Sequence, residues 1–131
     1  MNVQVKYTPG NASPWSQAPS ATIPVPPNGN STPIDWSIQV IPANAGSIQF
    51  STTTAAPGIQ FTGTGDSAWP GGPVTGNATA WSTSITNNKQ QGDSSSQFTY
   101  VVNALYTPAN GAQVAIQYDP EVEENPPSIA L

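Results

Sequence analysis

The sequence predicts an all-β chain: an antiparallel β-sandwich of seven to eight strands, forming one domain over residues 1–131. Three observations carry this. Apolar residues recur with period two in several short windows, the repeat of a strand with one face buried. Helical periodicity is absent, and fifteen prolines and eleven glycines interrupt every window long enough for a helix. The polar residues are chiefly Ser, Thr, Asn and Gln, interleaved with Ile, Val, Phe, Tyr and Trp. This is a strand composition and lacks the high charge that keeps chains unfolded.

The elements follow in order. Residues 3–7 form a strand-like run. Residues 12–30 read as a proline-rich loop, in which Pro24, Pro26 and Pro27 suit a sheet edge because proline cannot donate to a ladder. The clearest alternation is in 34–40, where Ile34, Trp36, Ile38 and Val40 share a face. Shorter strands are expected at 47–53, with Ile48 and Phe50 inward, and at 58–62, with Ile59 and Phe61 inward. Residues 63–76 read as a glycine-rich loop, followed by a strand at 78–85 carrying Trp81. The longest strand, 97–106, places Phe98, Tyr100, Val102, Ala104 and Tyr106 on one face. Val101 and Leu105 lie on the other, as in a central strand covered on both sides. The turn Thr107-Pro108-Ala109-Asn110-Gly111 then joins it to a last strand at 112–118 as an antiparallel hairpin. Strands at this spacing indicate an immunoglobulin-like sandwich or a jelly roll.

Composition restricts the chemistry. The chain has no cysteine, histidine or arginine, and its net charge of −5 comes from seven carboxylates against Lys6 and Lys89. Histidine-based triads, thiol nucleophiles and zinc sites rich in nitrogen or sulfur are therefore ruled out. A surface this poor in cations does not neutralise phosphates, so neither nucleic acid nor an anionic membrane is an expected partner. No apolar run reaches the roughly 18 residues of a membrane helix. Met1-Asn2 leads straight into a strand with no signal-peptide pattern, so the expectation is a cytoplasmic start or export by a leaderless route. Asp35, Asp66 and Asp93 are the candidates for a carboxylate pair of the glycosidase type. They fall on the solvent face of a strand and in two unrelated loops. The expectation is a chain that is not an enzyme and takes no cofactor.

Two further features invite a ligand. The acidic run 119–124 reads as a solvated segment that opposes aggregation. The competing reading, a weak calcium site, lacks the glycine-turned loop of alternating ligands. Four tryptophans suggest carbohydrate. Trp36 and Trp81 lie in alternating strands and belong to the core. Trp15 and Trp69 lie in loops, and with Asp66 and Asn77 nearby they form the candidate sugar-binding set: a ring to stack on and polar groups for hydroxyls. The competing reading is that these rings fold over the end of the sandwich as plugs. The sequons at Asn11, Asn30 and Asn77 are what chance gives in so Ser/Thr-rich a chain.

At Ile34-Asp35-Trp36-Ser37, Gly58-Ile59-Gln60-Phe61 and Trp69-Pro70-Gly71-Gly72-Pro73 the chain resembles a group of small uncharacterised bacterial immunoglobulin-like β-sandwich proteins. Its closing stretch, Tyr118-Asp119-Pro120-Glu121-Val122 and Asn125-Pro126, is also loosely similar to the Asp-Pro ending of bacterial inclusion-body proteins of the AidA/PixA type. The resemblance implies an immunoglobulin-like fold and a bacterial source, carries over no catalytic residues, and puts self-assembly in view. The expected function is thus a structural or protein-interaction module whose partners are other copies of the chain, the few charges opposing association only weakly. A lectin-like carbohydrate binder is the alternative, and a decoration domain on a virion or cell surface the third reading.

Overall fold

The computed structural model describes residues 1–27, 29–62 and 74–124. Among them, eleven strands run in chain order: β1 (Asn2–Tyr7), β2 (Trp15–Ala18), β3 (Thr22–Val25), β4 (Ser31–Val40), β5 (Gly46–Phe50), β6 (Ile59–Phe61), β7 (Thr75–Gly76), β8 (Ala80–Thr86), β9 (Ser96–Pro108), β10 (Val114–Tyr118) and β11 (Glu121–Glu124). A single 3-10 turn, Ala43–Ala45, links β4 to β5.

The strands form two sheets. A five-stranded sheet has the order β2-β1-β4-β8-β7, and a six-stranded sheet is built around β9. One edge of β9 pairs with β10 and then β11; the other pairs with β5 and then β6. β3 lies outside β11. Inward-facing residues of both sheets meet in one core: Val3, Val5, Ile34, Trp36, Trp81 and Ile85 from the first, and Ile23, Val25, Phe50, Ile59, Tyr100, Val102 and Val122 from the second. This is a β-sandwich, and the period-two alternation of β4, β8 and β9 builds most of it.

Three expectations need correction. The sandwich is mixed and not wholly antiparallel, because β1 pairs with β4 in parallel and β3 pairs with β11 in parallel. It has eleven strands among the described residues, more than seven to eight, because residues 12–30 are not one loop but contain β2 and β3, residues 75–76 of the expected glycine-rich loop form β7, and residues 121–124 form β11. The acidic run is not a solvated tail: residues 121–124 form β11 between β9 and β3, with Val122 fully buried and Glu121 and Glu123 on the opposite face. Alternation with a single valine suffices here because neighbours flank the strand on both edges.

Pro24 occupies the edge position expected of it. Glu121 N donates to Ala21 O, so alternation directs Ala21, Ile23 and Val25 toward β11 and leaves Thr22 and Pro24 facing outward. The proline thus stands where a free N–H would otherwise be exposed.

Two buried tryptophans are held differently. Trp36 Nε1 donates to Tyr100 Oη at 3.2 Å, and Tyr100 Oη donates to Gln17 Oε1 at 2.7 Å. Gln17 Nε2 continues the chain to Ser20 O at 2.8 Å. These bonds cross the sandwich from β4 to β9 to β2. Burial pushes the Tyr100 hydroxyl well above its ordinary value, so it stays protonated and can donate. Trp81 Nε1, by contrast, is buried with no hydrogen-bond partner. Its indole is closely flanked by Gly58 and Gly76; a Cβ at either would collide with the ring.

Candidate functional site

The sequence-nominated set divides. Trp69 and Asp66 lie outside the described residues. Trp15 and Asn77 are described, and the fold keeps them apart. Trp15 opens β2 at one end of the first sheet, whereas Asn77 follows β7 at the other, about 19 Å away at about 4.8 Å per strand.

Each is engaged locally. The Trp15 ring stacks on Tyr118 with centroids 5.3 Å apart and planes at 7°, and lies 4.8 Å from the tilted ring of Tyr7. Tyr7 in turn meets Tyr106 at 5.1 Å. Four rings from β1, β2, β9 and β10 thus tie the two sheets together, and Tyr106 Oη donates to Ala45 O at 2.8 Å. Asn77 Oδ1 accepts from Thr79 N, Thr79 Oγ1 and Ala80 N at 2.9, 3.0 and 3.0 Å, which forms the turn between β7 and β8. Asp35 is exposed on β4, and Asp93 Oδ2 accepts from Gln90 N within a turn. Among the described residues no three carboxylates gather in a way that would hold a metal ion.

The outer edge of β10 presents backbone groups that no described strand pairs. Hydrogen-bond directions along β9 establish this. Asn103 N donates to Gly58 O and Asn103 O accepts from Ser51 N, so residue 103 faces the β5–β6 side. Tyr100 N donates to Pro120 O, so the even-numbered residues of β9 face the β10–β11 side. With Ile116 opposite Ala104, residues 114, 116 and 118 direct their backbone groups at β9. The N–H and C=O groups of Ala115 and Gln117 therefore point away from the sheet. No strand among the described residues pairs with them.

The side chains on this edge are neutral. Residues 112–118 contain no proline, lysine or carboxylate. Val114 is 47% exposed although it lies on the inner face. On the outer face a shallow cavity of about 320 Å³ is lined by Ser51, Ala56, Asn103, Leu105, Ala115 and Gln117, among others. Its floor is fixed: Asn103 is buried, donates from Nδ2 to Pro57 O at 2.8 Å, and accepts from Gln117 Nε2 at 2.8 Å. The Gln117 side chain thus ties β10 to β9.

Several other edges are guarded, though Ile48 of β5 also directs its backbone groups away from β9. β2 is flanked by Pro14 and Pro19, and β3 carries Pro24 at its outward position. β7 is two residues long. Phe50 at the end of β5 gives its N–H to Ala78 O. That Ala115 and Gln117 face outward from β10 depends on ladder directions that no local pattern encodes.

No family model, curated protein or solved structure matches this chain. Function is therefore read from geometry.

Proposed function

We propose that this protein is a non-enzymatic structural or protein-interaction module, an immunoglobulin-like sandwich that associates with copies of itself. The observation that carries the reading is the neutral edge of β10, which pairs with no strand among the described residues, whereas β2, β3 and β7 are short or carry proline. Low charge supports it: with charged residues at 7% of the chain, little repulsion opposes contact between copies. The carbohydrate reading draws less support, since Trp15 is stacked on Tyr118 and Asn77 lies at the far edge of the sheet. Size-exclusion chromatography with light scattering tests the proposal. Oligomers whose size is unchanged between low and high salt are expected; a strict monomer at high concentration would overturn it.

A further inference from the structure

Resting on the self-association reading, we infer that the partner surface is β10 itself, and that two copies pair antiparallel through their β10 edges about a two-fold axis at Ala115. Three features point to this arrangement.

The first is hydrogen-bond direction. Only outward-facing residues can exchange backbone bonds with a new strand, and alternation along β10 makes these 115 and 117, with Gln113 just before the strand. An antiparallel register centred on Ala115 sets Ala115 opposite its own copy and Gln113 opposite Gln117 in both directions. This adds about two backbone hydrogen bonds at Ala115, and about four more between Gln113 and Gln117 once residue 113 extends the strand in each copy.

The second is the side-chain pattern. In that register Val114 of each copy lies opposite Ile116 of the other. The most exposed large apolar side chain on the strand, Val114, is then covered by a half-buried one. On the outer face Gln113 lies opposite Gln117, pairing amide with amide.

The third is charge. Asp119 directly follows β10. A parallel in-register pairing would set it beside its own copy, whereas the antiparallel register sets it opposite Gly111, with no carboxylates facing each other. The same surface serves both copies, so the contact closes as a dimer and does not propagate into a filament.

The absence of cysteine makes the test clean, because any introduced thiol is the only one. Ala115→Cys should form a disulfide-linked dimer under mild oxidation, since directly opposed residues lie about 5.5 Å apart at Cα, within reach of a disulfide. Gln117→Cys should not, because its copies would be four residues out of step, about 13 Å apart. Ala115→Pro removes an outward N–H without touching the β9 ladder. It should leave circular dichroism unchanged and yield a monomer by light scattering. Oligomers that persist in Ala115→Pro, with no cross-link in Ala115→Cys, would overturn this interface while leaving self-association standing. Cross-linking through Gln117→Cys in place of Ala115→Cys would overturn the register. A monomeric unsubstituted protein would overturn both.

Discussion

Tyr100→Phe isolates the polar chain that joins the two sheets. The substitution keeps the ring and so its contacts with Trp36 and Phe61, each at a centroid distance of 5.5 Å, and removes only the hydroxyl. Two bonds are lost, from Trp36 Nε1 at 3.2 Å and to Gln17 Oε1 at 2.7 Å. Trp36 is 1% exposed and Gln17 8%, so water does not readily replace the hydroxyl. At about 1–2 kcal/mol for each polar group left unpaired in the interior, the loss is about 2–4 kcal/mol. That is a large share of the roughly 5–15 kcal/mol that holds a typical domain together. Urea unfolding followed by tryptophan fluorescence measures it as a lower midpoint at unchanged slope. Gln17→Leu completes a double-mutant cycle: the two substitutions together should cost less than their sum by about 1 kcal/mol, because each removes the other's partner. A Tyr100→Phe loss below about 0.5 kcal/mol, or strict additivity, would refute the view that this chain bonds the sheets.

Three further outcomes follow from the same packing. Gly58→Ala places a methyl against Trp81 and 2.7 Å from Phe50 Cβ, and should lower stability by about 1–3 kcal/mol in the same urea assay. Val122→Ala should cost about 2 kcal/mol, because Val122 is fully buried in β11; a neutral result would return residues 121–124 to a solvated tail. Stability should also fall as pH rises above the ordinary tyrosine range. Burial raises the Tyr100 hydroxyl in the folded state, so its contribution is complete below the unfolded value near 10 and is lost as pH climbs toward the folded one. Urea midpoints at pH 8 and pH 11 test this, an unchanged midpoint being the contrary result.

The parts of the fold legible in the sequence were those that state their own periodicity. β4, β8 and β9 alternate over seven residues or more, and the Pro-Ala-Asn-Gly turn marks the β9–β10 hairpin. β2, β3 and β11 were obscured for different reasons. β2 is four residues with one tryptophan, β3 carries a proline at its centre, and β11 is three glutamates around one valine. In each the stabilising partner is distant in sequence, so burial and pairing come from tertiary context and not from propensity. The Ile23/Val25 alternation was present but masked by the surrounding prolines. Parallel pairing of β1 with β4 joins residues more than thirty positions apart and leaves no local trace. For the site, chemistry-bearing side chains drew attention to tryptophans and carboxylates. The feature that stands out in three dimensions is a row of backbone groups on a bland strand, whose composition advertises only what is absent.

The most direct test of the association surface is amide hydrogen exchange along β10 as a function of protein concentration. Val114, Ile116 and Tyr118 direct their amides at β9 and should be protected at every concentration. The amides of Ala115 and Gln117 should exchange quickly in dilute protein and become protected as concentration rises and the two edges pair. If Ala115 and Gln117 exchange at the same fast rate in concentrated protein, the β10 edge is not where copies meet.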